Sequence, residues 1–337
     1  MLRAGMKWMF LIMGTMIGAG YASGREIWQF FGHESGLAII LFTFFFIVSC
    51  FVIMRISFEK QSHHYLPVLE HLIGKRLTGV YDIMIILYLF TTTVVMLAGS
   101  GATLQTFSMP YWTGVLILCL LLVFLFIWEI KGILNMNSVI LPLLILGLVG
   151  VLLSFILLNG EHWQFDWQHQ GNWPSSFTFT ALNILPLIAV LSAIGREMKH
   201  TGEVYIASIG SGLLLGSVSY LYNQSLLQIQ DIMFYEIPLF AVLERYPYFM
   251  VIIMSILLWL AIYTTAASGL LGLISRFQNG VNLPSWLLAS IVLVLMVPLT
   301  SFGFGTLVAV LYPLYGILNL YVMAAILLYP ILNHYKT

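Results

Sequence analysis

Long apolar segments follow one another along almost the whole chain, and only short polar stretches separate them. A helix needs about 20 apolar residues to cross a bilayer, and ten segments approach or exceed that length. The pattern predicts an all-α integral membrane protein with ten transmembrane helices in a single domain over 1–337. The predicted spans are 7–31, 35–57, 78–106, 111–129, 133–159, 176–197, 203–227, 247–276, 283–301 and 304–332, with amphipathic stretches at 60–74 and 229–245.

The composition narrows the function classes. Hydrophobic residues make up 61% of the chain and charged residues only 8%, and the mean hydropathy is +0.99. The formal net charge is zero, so we expect no nucleic-acid partner. No nucleophile stands in a pattern with a general base, so we do not expect an enzyme. The expected partners are the lipid bilayer and a small-molecule substrate.

Arginine and lysine residues are distributed unevenly between the two sides of the predicted membrane. The positive-inside rule assigns the richer side to the cytoplasm. Only Arg245 falls on the opposite side, and Arg25 lies within a span. We therefore expect a multi-pass protein of the cytoplasmic membrane with both termini in the cytoplasm. The residues on the cytoplasmic side are Arg3, Lys7, Arg55, Lys60, Lys75, Arg76, Lys131, Arg196, Lys199, Arg276 and Lys336.

The first span contains a cluster of four glycines, Gly14, Gly18, Gly20 and Gly24. Each costs about 1 kcal/mol relative to alanine in a helix interior. An interrupted helix is tolerated in a bilayer where its freed backbone groups line a protein cavity. The cluster predicts a discontinuous helix that offers N–H and C=O groups to a ligand near the midplane. The apolar run at 8–13 is short for a signal peptide, and we expect this segment to be retained.

Two short matches suggest an internal repeat. The tripeptide Gly-Arg-Glu occurs at 24–26 and again, 171 residues later, at 195–197. The threonine pair at 92–93 recurs 172 residues later at 264–265. These offsets predict that repeat one (about 7–159) is duplicated as repeat two (about 176–332), unless the matches are chance similarity. With five spans in each half the second copy is inverted, and Pro186 then predicts a break in span 6.

On these residues the chain resembles LeuT-fold transporters of the amino acid–polyamine–organocation superfamily. The motif Gly-Ala-Gly-Tyr-Ala-Ser-Gly-Arg-Glu at 18–26 resembles more narrowly the YkvI-like bacterial membrane proteins. The resemblance implies ten helices as a 5+5 inverted-topology repeat with discontinuous helices 1 and 6. It also implies that a bundle of spans 1, 2, 6 and 7 rocks against a scaffold of spans 3, 4, 8 and 9.

Sodium-coupled members of this superfamily hold one Na⁺ between the break in span 1 and span 8. The resemblance implies two span 1 carbonyls, one span 8 carbonyl and two adjacent hydroxyls as ligands, and a hard cation prefers such oxygens. Proton-coupled relatives place a lysine of span 5 at this point. The predicted span 5 contains none, which favours Na⁺ over H⁺. The alternative is that the threonines bond only to their own helix. The matching residues are Gly14, Ile17, Ala261, Thr264 and Thr265.

The same resemblance implies a substrate site at the break. The amides of Gly18, Ala19 and Gly20 would face a substrate carboxylate, as the positive end of a half-helix favours an anion. Tyr21 departs from the amide side chain that some members use, so a second Na⁺ site is not expected. The side-chain pocket would draw on spans 3, 6 and 8, although packing is the alternative for each of its residues. These are Tyr88, Ser192, Tyr263 and Ser268.

Arg25 and Glu26 lie about two turns beyond the expected midplane. A central arginine costs about 2.5–3.5 kcal/mol on insertion, so it needs a partner or water. The two residues form an outer gate, or they snorkel to the interface. Candidate partners are Glu236 and Asp231. Within the repeat, the residues at 196–197 would be the inner counterparts.

These features together predict a secondary active transporter that works by alternating access. The substrate would be a small polar metabolite, most plausibly an amino acid or related amine, coupled to Na⁺. The alternatives are a proton-coupled transporter and a permease-like ligand receptor similar to the subunits of germinant receptors. A channel is disfavoured because no span has a continuous polar face.

Overall fold

A computed structural model describes residues 1–128, 133–158, 169–278 and 283–333 of the chain. These residues form α-helices joined by short turns, with two short 3₁₀ helices and no strand among them. Two residues of the orientation prediction, Lys131 and Lys336, lie outside the described residues.

The first seven helices cover the predicted spans 1–5. Span 1 is divided into three helices, and the fifth helix includes the amphipathic stretch before span 3, with a kink at Gly74. The helices are α1 (Leu2–Met16), α2 (Ala19–Ala22), α3 (Arg25–Phe30), α4 (Gly36–Glu59), α5 (Leu66–Gln105), α6 (Tyr111–Ile127) and α7 (Ile133–Leu158).

The second seven helices cover the predicted spans 6–10. A short helix lies between spans 7 and 8, and the 3₁₀ helices cover Ile232–Phe234 and Val297–Phe302. The helices are α8 (Ser175–Ala193), α9 (Thr201–Leu226), α10 (Pro238–Leu243), α11 (Tyr248–Gln278), α12 (Ser285–Met296), α13 (Phe304–Leu318) and α14 (Leu320–Asn333).

Within the described residues, seven helical segments are long and apolar enough to cross a membrane, or eight if the bent pair α13–α14 is one span. The count falls below ten because α1 ends after 15 residues at the predicted break and α6 has only 17 residues. Large apolar side chains such as Phe44, Leu120 and Val294 are exposed on the outer surface, as expected for contact with lipid. The chain is thus a multi-pass, all-α membrane protein, and the count of ten spans stays a prediction.

The helices pack as two groups. In one group α9 packs against α1 and α4, and α8 packs against α4. In the other, α5 packs against α6 and α11, and α6 packs against α12. These groups have the membership that the resemblance implied for the bundle and the scaffold. Helices α2 and α3 lie where the two groups meet, since α2 contacts α5 and α11 while α3 contacts α8 and α9.

The predicted break in span 6 is wrong. Helix α8 continues through Pro186 and ends only at Ala193, where a turn follows over 194–197. A proline removes a single backbone donor, and α8 is held on several sides by α4, α13 and α14. A different span bends instead: α13 and α14 meet at 45° next to Asn319. The described residues therefore give a discontinuous helix 1 without a matching break in helix 6.

Candidate functional site

The break in span 1 lies at Ile17 and Gly18. Ile17 leaves the helical conformation with φ −83° and ψ 83°, and Gly18 is extended with φ −99° and ψ −166°. The Gly18 N–H donates to the Met16 carbonyl at 3.0 Å and not to the Gly14 carbonyl that an unbroken helix would supply. The break therefore frees backbone groups inside the protein, as the glycine cluster predicted.

Three helices surround this break. A Cβ atom placed on Gly18 would lie 3.4 Å from Thr265 Cγ2 of α11 and 3.5 Å from Met96 Cε of α5. A Cβ on Gly99 of α5 would lie 3.4 Å from Ala19 Cβ and 3.2 Å from the ring of Phe304 in α13. The freed backbone of span 1 thus faces the second helix group across a narrow interface.

Of the threonine pair of α11, Thr265 faces the break, since its Cγ2 atom lies 3.4 Å from a Cβ atom placed on Gly18. The Thr264 hydroxyl donates to the Ala261 carbonyl at 3.1 Å, and both residues are buried. Ser268 lies one turn further on and donates to the Thr264 carbonyl at 2.8 Å. The structure therefore brings Thr265 to the break at Gly18 and arranges Ala261, Thr264 and Ser268 beside it.

Two predicted pocket residues point elsewhere. The Tyr21 side chain is fully buried, and its hydroxyl donates to the Leu215 carbonyl of α9 at 2.7 Å. This contact lies inside the first helix group. Tyr263 lies two residues before Thr265, which is about 160° around the helix, and it stacks on Trp259 with ring centroids 6.4 Å apart. The structure therefore does not bring the Tyr263 side chain to the break.

The other two pocket candidates also differ in position. Tyr88 of α5 lies edge-on to the ring of Tyr315 with centroids 5.2 Å apart, in the interior of the helix packing. Ser192 lies near the end of α8, where its carbonyl accepts a hydrogen bond from Ser62 of the turn after α4 at 2.8 Å. Tyr88 thus lies toward the centre of the molecule, whereas Ser192 contacts a loop on the predicted cytoplasmic side.

Arg25 begins α3 and turns toward the segment between α9 and α11. It is only 7% exposed, and Nη1 donates to the Tyr235 carbonyl at 3.1 Å. Glu236 lies close enough to interact electrostatically with the guanidinium, and its carboxylate accepts from the Gly305 N–H at 2.6 Å. Arg25 Nε has no hydrogen-bond partner among the residues that the structure describes. Of the two candidate partners, the structure brings Glu236 to Arg25.

A cleft of about 330 Å³ opens on the predicted outer side, and its lining includes Tyr235 and Glu236, the two residues that interact with Arg25. It lies between the end of α5 and the segment before α11. Its wall includes two carboxylates and three aromatic rings, and its lining includes Gln105, Phe234, Tyr235, Glu236, Phe240 and Glu244. The Tyr235 hydroxyl donates to Glu244 at 2.9 Å.

Glu26 points in the opposite direction from Arg25. It is 5% exposed and folds back onto α2, where the Tyr21 N–H donates to its carboxylate. A Cβ on Gly20 would overlap the Glu26 Oε1 atom. The predicted gate pair is therefore divided, with the arginine at the outer segment and the glutamate at the break.

The inner tripeptide lies in the turn after α8. Arg196 Nε donates to the Gln61 carbonyl at 3.0 Å, and its N–H donates to the Ser62 carbonyl. Glu197 pairs with Lys7 of α1 at 3.2 Å, and both side chains are exposed. Arg25 thus donates to a carbonyl of the segment after α9, and Arg196 donates to a carbonyl of the turn after α4.

Several residues at the site were not predicted from the sequence. Met96, Gly99, Phe304 and Gly305 enclose the break or the arginine, and nothing in their local spacing distinguishes them from ordinary packing residues. The glycine pair at 303–305 flanking Phe304 offered a weak signal, since it interrupts an apolar segment. Among the described residues, no group of three or more His, Cys, Asp or Glu side chains could hold a metal ion.

Comparison with known proteins now places the chain among its relatives. No protein-family model matches it. The uncharacterized protein YyaD of Bacillus subtilis (strain 168) is 55% identical over 335 residues, which cover 99% of both chains. The chain belongs to the YyaD family. The uncharacterized membrane protein YkvI of the same organism is 27% identical over 325 residues and 94% of both chains. This relationship confirms the resemblance to the YkvI-like membrane proteins.

Solved structures support the fold. The crystal structure of a manganese transporter from Eremococcus coleocola in complex with an aromatic bis-isothiourea substituted compound superposes with a TM-score of 0.59. The match covers 89% of this chain and 70% of that transporter at 16% identity. At this identity the likeness concerns the fold alone. The fold and the membrane-protein relatives agree with the prediction of a non-enzymatic membrane protein.

Proposed function

We propose that this protein is a secondary active transporter of a small polar metabolite, an amino acid or a related amine, in the cytoplasmic membrane. The observation that carries the proposal is the break at Ile17–Gly18, which opens toward Thr265 where the two helix groups meet. A ligand bound there contacts both groups, so their relative movement would expose it to one side and then the other. Both termini would lie in the cytoplasm.

The two arginine contacts support alternating access. Arg25 links the outer end of span 1 to the segment before α11, and Arg196 links the end of α8 to the turn after α4. Each bond joins a different pair of elements on a different side of the predicted membrane. Breaking one bond while keeping the other would open one side of the site, as an alternating-access mechanism requires.

We propose Na⁺ as the coupling ion, with H⁺ as the alternative. The proposed ligands are oxygens, which a hard cation prefers. Thr264 and Ala261 already present their oxygens side by side, and the redirected Gly18 N–H leaves the Gly14 carbonyl available. The second proposed oxygen of span 1 is the Ile17 carbonyl, since Ile17 has left the helical conformation. The fifth proposed ligand is the Thr265 hydroxyl.

Manganese is a weaker candidate for the substrate. A divalent transition metal would need several carboxylate, imidazole or thiolate ligands. The described part of the chain contains no cluster of three such side chains. We therefore do not propose manganese, the metal of the structural neighbour, as the substrate of this protein.

The double substitution Thr264→Val with Thr265→Val tests the ion site. Valine keeps the shape of threonine and removes the hydroxyl, so Na⁺-dependent ligand binding should be lost while the protein still folds. The measurement is a thermal-shift screen of the purified chain with amino acids, amines and organic acids, in Na⁺ and in K⁺. A bound ligand at a hundredfold excess over Kd stabilises the fold by about 2.7 kcal/mol.

The matched control is Thr180→Val, because this buried hydroxyl donates to the Ser176 carbonyl of its own helix, near the start of α8. The control should keep the difference between Na⁺ and K⁺. Survival of that difference in the double variant would show that the ion site is elsewhere. Binding that never depends on Na⁺ would favour proton coupling or a receptor.

A further inference from the structure

The Glu26 carboxyl group lies beside Gly20, one of the three residues whose amides the resemblance implied for a substrate carboxylate. Its side chain folds back from the first turn of α3, and the Tyr21 N–H donates to it. Its Oε1 atom lies so close to Gly20 that any larger residue there would overlap it. A carboxyl group of the chain itself therefore lies beside the backbone of the break.

This carboxylate has no cationic partner in the described part of the chain. The neighbouring Arg25 turns away to the Tyr235 carbonyl and to Glu236. No described Lys, Arg or His forms an ion pair with Glu26, which is 5% exposed. A buried carboxylate is stable when a cation or a proton neutralises it. The site is thus built to receive positive charge.

Three tyrosine side chains lie near Glu26, and the hydroxyl of one of them, Tyr21, is directed to Leu215. Tyr21 of α2, Tyr88 of α5 and Tyr312 of α13 all lie within electrostatic range of its carboxylate. On the α9 side, the Tyr222 hydroxyl donates to the Ala22 carbonyl. Aromatic faces attract organic cations, and they add no positive charge that would compete for the carboxylate.

We propose that Glu26 binds the ammonium group of the transported molecule, which is an organic amine without a carboxylate of its own. An amino acid would bring a second carboxylate to a site that already contains one, and the two like charges would repel. An organic ammonium fits better than a metal ion, because a metal ion would need more oxygen ligands than this one carboxylate and the phenols supply. This inference rests on the proposed transport function and selects the amine class within it.

Matched pairs of compounds test the proposal directly. Each pair is an amino acid and the amine that remains when its carboxylate is removed: alanine and ethylamine, phenylalanine and phenethylamine, ornithine and putrescine. Thermal shifts of the purified full-length chain are measured for each compound over a range of concentrations. We expect at least one amine to bind about tenfold or more tightly than its amino acid. The carboxylate of the amino acid is repelled by Glu26, and this repulsion opposes the charge-assisted bond between Glu26 and the ammonium group.

The substitution Glu26→Gln sharpens the test. Glutamine keeps the shape and removes the charge, so amine affinity should fall about tenfold or more. The control Glu59→Gln removes an exposed carboxylate on α4 that pairs with Arg55 and should leave amine affinity unchanged. If Glu26→Gln fails to fold, the comparison of amine with amino acid in the unaltered protein still decides.

Two results overturn the inference and leave transport standing. One is that no amine binds more tightly than its own amino acid, and the other is an unchanged amine affinity in folded Glu26→Gln. Absence of binding by every amine, amino acid and organic acid of the wider panel, in Na⁺ and in K⁺, instead contradicts the proposed function and this inference with it.

Discussion

The tripeptide Gly-Arg-Glu occurs twice in the chain, and the two copies differ in their surroundings. In the outer copy both charged side chains are buried, and Glu26 reaches the break in span 1. In the inner copy both charged side chains are exposed, and Glu197 pairs with Lys7 at the surface. The arginines behave alike, since each donates to a backbone carbonyl of a neighbouring segment.

The difference follows from what comes before and after each tripeptide. The outer copy follows a broken helix and starts α3, so its side chains lie inside the helix packing. The inner copy follows the intact helix α8 and forms a turn at the surface. Similar residues thus become a binding group in one place and a surface ion pair in the other. A buried charge must be compensated, whereas an exposed one is solvated by water.

Substitutions of the glycines in the two copies are predicted to cause the largest losses in the free energy of unfolding. A Cβ on Gly195 would overlap the Ser57 carbonyl and lie 2.7 Å from the Ser62 nitrogen, and backbone atoms cannot move aside easily. Gly195→Ala should lower the free energy of unfolding by about 3 kcal/mol. Gly24 has φ +79°, and a Cβ there would lie 2.8 Å from the Tyr222 ring. Gly24→Ala should cost about 2 kcal/mol.

Denaturation of the purified variants in detergent measures both losses. Gly79→Ala is the control, because nothing lies within 4 Å of a Cβ at that position. The control should match the unaltered protein or exceed its stability. A larger loss for Gly24→Ala than for Gly195→Ala would contradict the packing described here.

Substitutions of the two arginines are predicted to change stability by different amounts in the two copies. Arg25→Gln should lower the free energy of unfolding by about 2 kcal/mol, because the buried side chain loses its bond to the Tyr235 carbonyl and its attraction to Glu236. Arg196→Gln should change it by no more than about 0.5 kcal/mol, since Arg196 is exposed.

A double-mutant cycle of Arg25→Gln with Glu236→Gln tests the reason for this difference. If the two charges interact, removing both should cost less than the two single losses together. Additive losses would mean that Arg25 stabilises the protein only through its bond to the Tyr235 carbonyl.

The smallest effect is expected at the inner glutamate. The Lys7 and Glu197 side chains are 65% and 59% exposed, so Glu197→Gln should cost less than about 1 kcal/mol. Salt screens such pairs, and the difference should vanish in denaturation experiments at high ionic strength. A loss that persists in high salt would indicate a structural role for Glu197 that its exposure does not suggest.

Local patterns predicted much of the fold. The helices follow the apolar segments closely, because apolar helices are the structures in which such segments satisfy their backbone within lipid. The break at Gly18 followed from the glycine cluster, since glycine weakens a helix through its own backbone. The same argument failed at Pro186, because the loss of one backbone donor does not end a helix that its neighbours hold in place.

The candidate site was less accessible to local reasoning. The threonine pair could be matched to the break through a family pattern, and Thr265 does face Gly18. The directions of Tyr21 and Tyr263 could not be predicted, because they depend on which neighbour offers a partner or a packing surface. The Tyr21 hydroxyl donates to the carbonyl of Leu215, which lies almost 200 residues away in the chain.

The sequence by itself determined the membrane helices, the break in the first of them and the presence of two charged residues beyond it. These features depend on hydropathy and on backbone preferences, which act over a few neighbouring residues. Only the tertiary structure decided that Arg25 turns to Glu236 while Glu26 returns to Gly20. Adjacent side chains on a helix point in different directions, and what each one meets depends on packing between elements that are distant in the chain.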